Sequence, residues 1–174
     1  LMQVSVADID MHLDKAAEII DGGAFSSLNL QKTELFGKQT WLPREISEVL
    51  ILRQIEDQLK RLTKLIYSDR NHIVRALKVS LQEGIKYSVL KLDIHQFYES
   101  LDRSIVLSSL EKDFGFPAQS YKLLSSFSQC LDRKNISGLP RGLSISAVLA
   151  EYAMRQFDQE MQNMESVRLY KRFV

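Results

Sequence analysis

The residues best suited to chemistry lie in Tyr87-Ser-Val-Leu-Lys-Leu-Asp93-Ile-His-Gln-Phe97-Tyr98. Tyr87, Val89, Lys91 and Asp93 alternate with Ser88, Leu90, Leu92 and Ile94, which predicts a strand over 87–94. Its second face is apolar and can pack on helices. Asp93, at the strand end on the other face, would meet solvent and a cation. A hard carboxylate oxygen placed this way suits Mg²⁺, and phosphoryl transfer is chemistry that such an ion serves. One carboxylate cannot do this alone. An Asp at a strand end is equally what a cap or turn requires, and Tyr98 reads equally as a core aromatic.

Two further segments bear on the choice. In Gly138-Leu-Pro-Arg-Gly142, glycines flank a proline, so the backbone is tightly turned and a nucleic-acid strand could approach it closely. The helix expected after it would aim its N-terminal amides at the same place, which suits phosphate. A plain helix-capping loop has the same composition. The last segment, Leu169-Tyr-Lys-Arg-Phe-Val174, alternates like a strand and carries basic residues.

The elements that must position these residues are mostly helical. Apolar spacing predicts a helix over 8–21 closed by Gly22-Gly23, and no clear period over 25–41, hence loop or an irregular hairpin. Pro43 or Ser47 opens the strongest helix, with Ile46, Val49, Leu50, Ile55, Leu59, Leu62 and Ile66 on one face. Asp69 reads as the N-cap of a helix running through Ile73, Ala76, Leu77 and Leu81, ended by Gly84. Asp102 caps the next helix and Gly115 ends it. Pro117 starts another at the first helical position, and a long helix runs from Leu143 to about Met164. A final strand is expected over 167–174.

Composition is that of an ordinary globular protein, with 45% apolar and 26% charged residues. No apolar run approaches the roughly 18 to 20 residues of a membrane span. The single Cys130 leaves no internal disulfide, and no Cys/His cluster has zinc spacing. The net charge of +1 gives no global attraction to nucleic acid. Its distribution is uneven: residues 53–78 carry Arg53, Lys60, Arg61, Lys64, Arg70, Arg75 and Lys78 against Glu56, Asp57 and Asp69. Such a stripe can bind phosphates locally, or it can be a solvated helix face. The chain opens on Leu1 and stops within the expected last strand, so it reads as a piece of a longer protein.

Taken in order, Leu92-Asp93-Ile94 with Phe97-Tyr98, then Leu139-Pro-Arg-Gly142 with Ser146 and Leu149, then Arg168 to Val174, resemble the reverse-transcriptase core. The pattern is most similar to bacterial abortive-infection and related phage-defence enzymes over about 44–174. The resemblance implies a helix-rich α+β fold: fingers over 1–86 and a partial palm, an incomplete split βαβ unit, over 87–174. It implies an RNA-directed DNA polymerase using Mg²⁺, a template, nascent DNA and dNTP, in the cytoplasm, with no membrane and with a homo-oligomer possible. Asp93 would be the catalytic carboxylate and a metal ligand, and Ile94 would add its carbonyl. Tyr98 would check the sugar for a 2′-hydroxyl, and Arg70 would reach the triphosphate. Pro140, Arg141, Gly142 and Ser146 would shape the template surface. Arg141 departs from the usual glutamine, and Ala147 from a frequent proline. The motif holding the other two carboxylates would follow Val174, so the 174 residues alone are expected to be inactive. A catalytically silent nucleic-acid-binding or assembly module is the alternative. A helical regulatory domain with a chance match would require Asp93 and Gly142 to lie far apart.

Overall fold

The computed structural model describes residues 6–25, 27–65 and 69–173. Ile66, Ser68 and Val174 lie outside them. The order is α1 (Val6–Gly22), β1 (Leu30–Leu35), β2 (Lys38–Pro43), α2 (Ile46–Thr63), α3 (Arg70–Leu81), α4 (Phe97–Ser100), α5 (Arg103–Phe114), α6 (Ala118–Arg133) and α7 (Ser144–Asn163). This is a helix-rich α+β arrangement in which α2 packs against both α1 and α7.

The helix boundaries follow local chemistry. Asp69 accepts the Asn71 N–H, and Asp102 accepts those of Ser104 and Ile105, each as an N-cap should. Gly115 takes the left-handed conformation that ends α5. Pro117 sits one place earlier than expected, as the N-cap of α6. On α2 the buried face is Ile51, Leu52, Ile55 and Leu59, while Val49 and Leu50 are only half-buried. These residues share one core with Leu124, Phe127 and Leu131 of α6 and Ile145, Val148 and Leu149 of α7. The core is therefore continuous across the 86/87 boundary. Cys130 is buried within it, and burial pushes its thiol pKa up. No described helix is long and apolar enough to cross a membrane.

The structure departs from the simplest reading of local pattern in three places. The aperiodic stretch contains a regular antiparallel hairpin, with Leu35 opposite Lys38 and a two-residue turn at Phe36-Gly37. Both turn residues have positive φ, 51° and 70°, as this tight loop demands. No residue of α3 is buried, so its apolar residues stay at the surface, with Leu77 and Leu81 39% and 48% exposed. Finally, neither 87–94 nor 167–173 forms a ladder, and β1–β2 is the sheet found among the described residues. The expected split βαβ unit is not formed there. Alternation sets which way side chains point, but a strand is held by ladder hydrogen bonds to a neighbour, and neither segment has one. Leu90 and Leu92 are left 78% and 70% exposed.

Candidate functional site

The glycine-flanked loop rests on the turn that follows Asp93. The Leu139 N–H donates to the Tyr98 carbonyl at 2.7 Å. Gly138, at φ +59°, faces the backbone of Tyr98 and Glu99 so closely that a β-carbon would overlap it. On the other side of the loop, the Trp41 N–H of β2 donates to the Arg141 carbonyl at 2.7 Å. Gly142, at φ +95°, leaves only 2.6 Å between a β-carbon position and the Trp41 carbonyl oxygen. Glycine is required at both positions by conformation and by space.

Side chains tie the same pieces together. The Arg141 guanidinium forks onto Glu99, with Nε to Oε1 at 2.7 Å and Nη2 to Oε2 at 3.0 Å. Its central carbon lies 4.9 Å from the centre of the Tyr98 ring, within cation–π range. Phe97 meets Tyr98 edge-on, with ring centres 5.5 Å apart. The Arg141 hydrogen bonds hold the Glu99 carboxyl below its ordinary pKa. Burial raises that of the Tyr98 hydroxyl, with Arg141 opposing and Glu151 and Glu99 adding to the rise.

Arg103, at the start of α5, fixes the loop from below. Its guanidinium donates to the carbonyls of Ile136 and Gly138, to Ser128 Oγ and to Asp132. An open polar cleft of about 440 Å³ lies beside it, lined in part by Glu99, Asp102, Arg103 and Asp132. The third segment folds back on α7. Arg172 pairs with Glu151 and Asp158, both at 2.6 Å, and Tyr170 donates to Asp158 at 2.6 Å. Burial alone would lower the Arg172 pKa, but the hydrogen bonds to Asp158 and Glu151 outweigh it and raise it. Burial and the bond to Asp158 push the Tyr170 hydroxyl up to about 12.

The expected residues fare differently. Tyr98, Arg141 and Gly142 come together, with Pro140 buried in the same loop. Asp93 and Ile94 are exposed five and four residues before Tyr98, and Asp93 has no hydrogen-bond or ion-pair partner among the described residues. Arg70 is exposed at the start of α3. Ser146 is 1% exposed, and its hydroxyl has no partner among the described residues. It packs inside the core, so it offers no surface to a template. Glu99 and Arg103 were missed because their partners stand 42 and 25 to 35 residues away in the chain. Arg141, a charge within a turn-rich loop, was the hint in the sequence that an acid had to be near.

Comparison of the chain with models of protein families, with curated proteins and with solved structures finds no match.

Proposed function

We propose that this chain is the fingers and partial palm of an RNA-directed DNA polymerase of the phage-defence type, a nucleotidyltransferase that extends DNA on a nucleic-acid template. One observation carries the reading: the Leu139–Gly142 loop is seated on the Phe97–Glu99 turn just after Asp93. Two segments joined only by their resemblance to polymerase motifs are thus adjacent in space. In this reading Tyr98 lies against the incoming deoxyribose and leaves no room for a 2′-hydroxyl. The solvent-facing part of the loop, exposed Gly142 with half-buried Arg141, faces the template side. The seven bases of 53–78 are all exposed and would follow the phosphate backbone.

The implied Mg²⁺ is a poor fit to the residues in hand. Asp93 gives one free carboxylate and Ile94 one carbonyl, but no group of three acidic, histidine or cysteine side chains converges among the described residues. Mg²⁺ demands near-octahedral oxygen coordination. These two oxygens by themselves fall short of a site. The second reading is a silent module that binds nucleic acid through the same basic stripe without turning it over.

The test loads the protein with a labelled primer–template and measures dNTP and rNTP affinity by anisotropy and competition. The polymerase reading expects tighter binding of dNTP than of rNTP, and loss of that preference in Tyr98→Ala. Equal affinities in the unaltered protein would sink it. Binding of primer–template with no nucleotide binding would establish the silent module.

A further inference from the structure

We propose that Glu99 is a positioning residue that acts through Arg141 to fix the Tyr98 ring, and so sets how strongly a 2′-hydroxyl is rejected. The inference rests on the reading of Tyr98 as the sugar check. The ring cannot orient itself, because its hydroxyl has no hydrogen-bond partner among the described residues. Its backbone is pinned by the Leu139 N–H at 2.7 Å. The ring packs against the margin of the core, with Phe97 at its edge and the Arg141 guanidinium over it as its one charged contact among the described residues.

Arg141 in turn is held only as well as Glu99 holds it. The fork of two hydrogen bonds, at 2.7 and 3.0 Å, fixes the guanidinium plane as well as its place. A glutamine at 141 has no charge for the ring and no fork for the carboxylate. A lysine has the charge but not the fork. The arginine at 141 and the acid at 99 therefore form one device. Because the Glu99 and Arg141 side chains are 37% and 21% exposed, their pairing adds little to stability. Its consequence is orientation.

The experiment measures the ratio of rNTP to dNTP dissociation constants on the primer–template complex, with melting temperature and Tyr98 ring-proton NMR shifts in the free protein. Glu99→Gln should lower the ratio by about tenfold, the scale of one charge-assisted hydrogen bond. It should also move the Tyr98 ring shifts and leave the melting temperature in place. Arg141→Lys should do the same, and the double variant should do no more than either, since both changes break one chain of interactions. Unchanged ring shifts in Glu99→Gln, or a retained ratio, would overturn the proposal while leaving the sugar check standing. A ratio near one in the unaltered protein would remove the sugar check and this proposal with it.

Discussion

Glu99 owes its low pKa first to the hydrogen bonds from Arg141, with burial pulling the other way. The sign of the pH dependence follows. A carboxyl whose folded pKa lies below its unfolded value of 4.5 contributes stability that is fully present above 4.5. That contribution is lost as pH falls through the lowered folded value. NMR titration of the Glu99 carboxyl should therefore show a midpoint below 4.5, and Arg141→Gln should bring it back towards the ordinary value. A midpoint unmoved by Arg141→Gln would show that the pair does not form in solution. Asp93 contrasts with it. It has the same carboxylate chemistry, yet nothing among the described residues engages it.

At the scale of elements, the loop is built from two glycines that differ from the others in the chain. Gly115 also has positive φ, +53°, but a β-carbon there meets nothing within 4 Å. Gly115→Ala should cost about 1–2 kcal/mol, the conformational penalty alone. Gly138→Ala and Gly142→Ala add overlap with the backbones of Tyr98–Glu99 and Trp41, so each should cost clearly more, about 3 kcal/mol or above. Urea unfolding of the three variants decides this, and equal costs would mean the close approaches relax freely. Arg103 gives the complementary case. Its guanidinium satisfies two carbonyls and Asp132 while only 10% exposed. Arg103→Ala should destabilise by about 2–4 kcal/mol by leaving those acceptors unpaired. Arg103→Lys should recover little, because an ammonium cannot reproduce the planar fork.

For the whole molecule, the continuous core leaves the basic residues of α2 and α3 outside. With a net charge of +1, the proposed binding of nucleic acid would depend on this local stripe rather than on overall attraction. Replacing Arg61, Lys64 and Arg75 together with glutamine should weaken primer–template binding regardless of sequence. It should also flatten the dependence of log K on log salt by up to about 3, near one for each phosphate left without its cation. A salt slope that does not change would place the nucleic acid elsewhere on the surface. The exposed face of α3 and the unpaired 87–94 segment belong to this scale too, since their burial depends on partners that local pattern does not specify.

The helices were legible in the sequence because their causes are local: apolar spacing on α2, the carboxylate caps Asp69 and Asp102, and left-handed Gly115 all act within one or two turns. The glycine-flanked loop and the Asp93–Tyr98 spacing were legible for the same reason. The hairpin was legible only as an irregular one beside a plain loop, because its strands alternate weakly and Phe36 occupies a turn position that usually takes Asn, Asp or Gly. The strands expected at 87–94 and 167–174 are not formed over the described residues, because pairing is decided by neighbours, not by alternation. Only the tertiary structure set Glu99 beneath Arg141, Arg141 over Tyr98, and Arg103 under the loop. Those interactions join residues tens of positions apart, and chain spacing carries no information about which distant charges will meet once the core has closed.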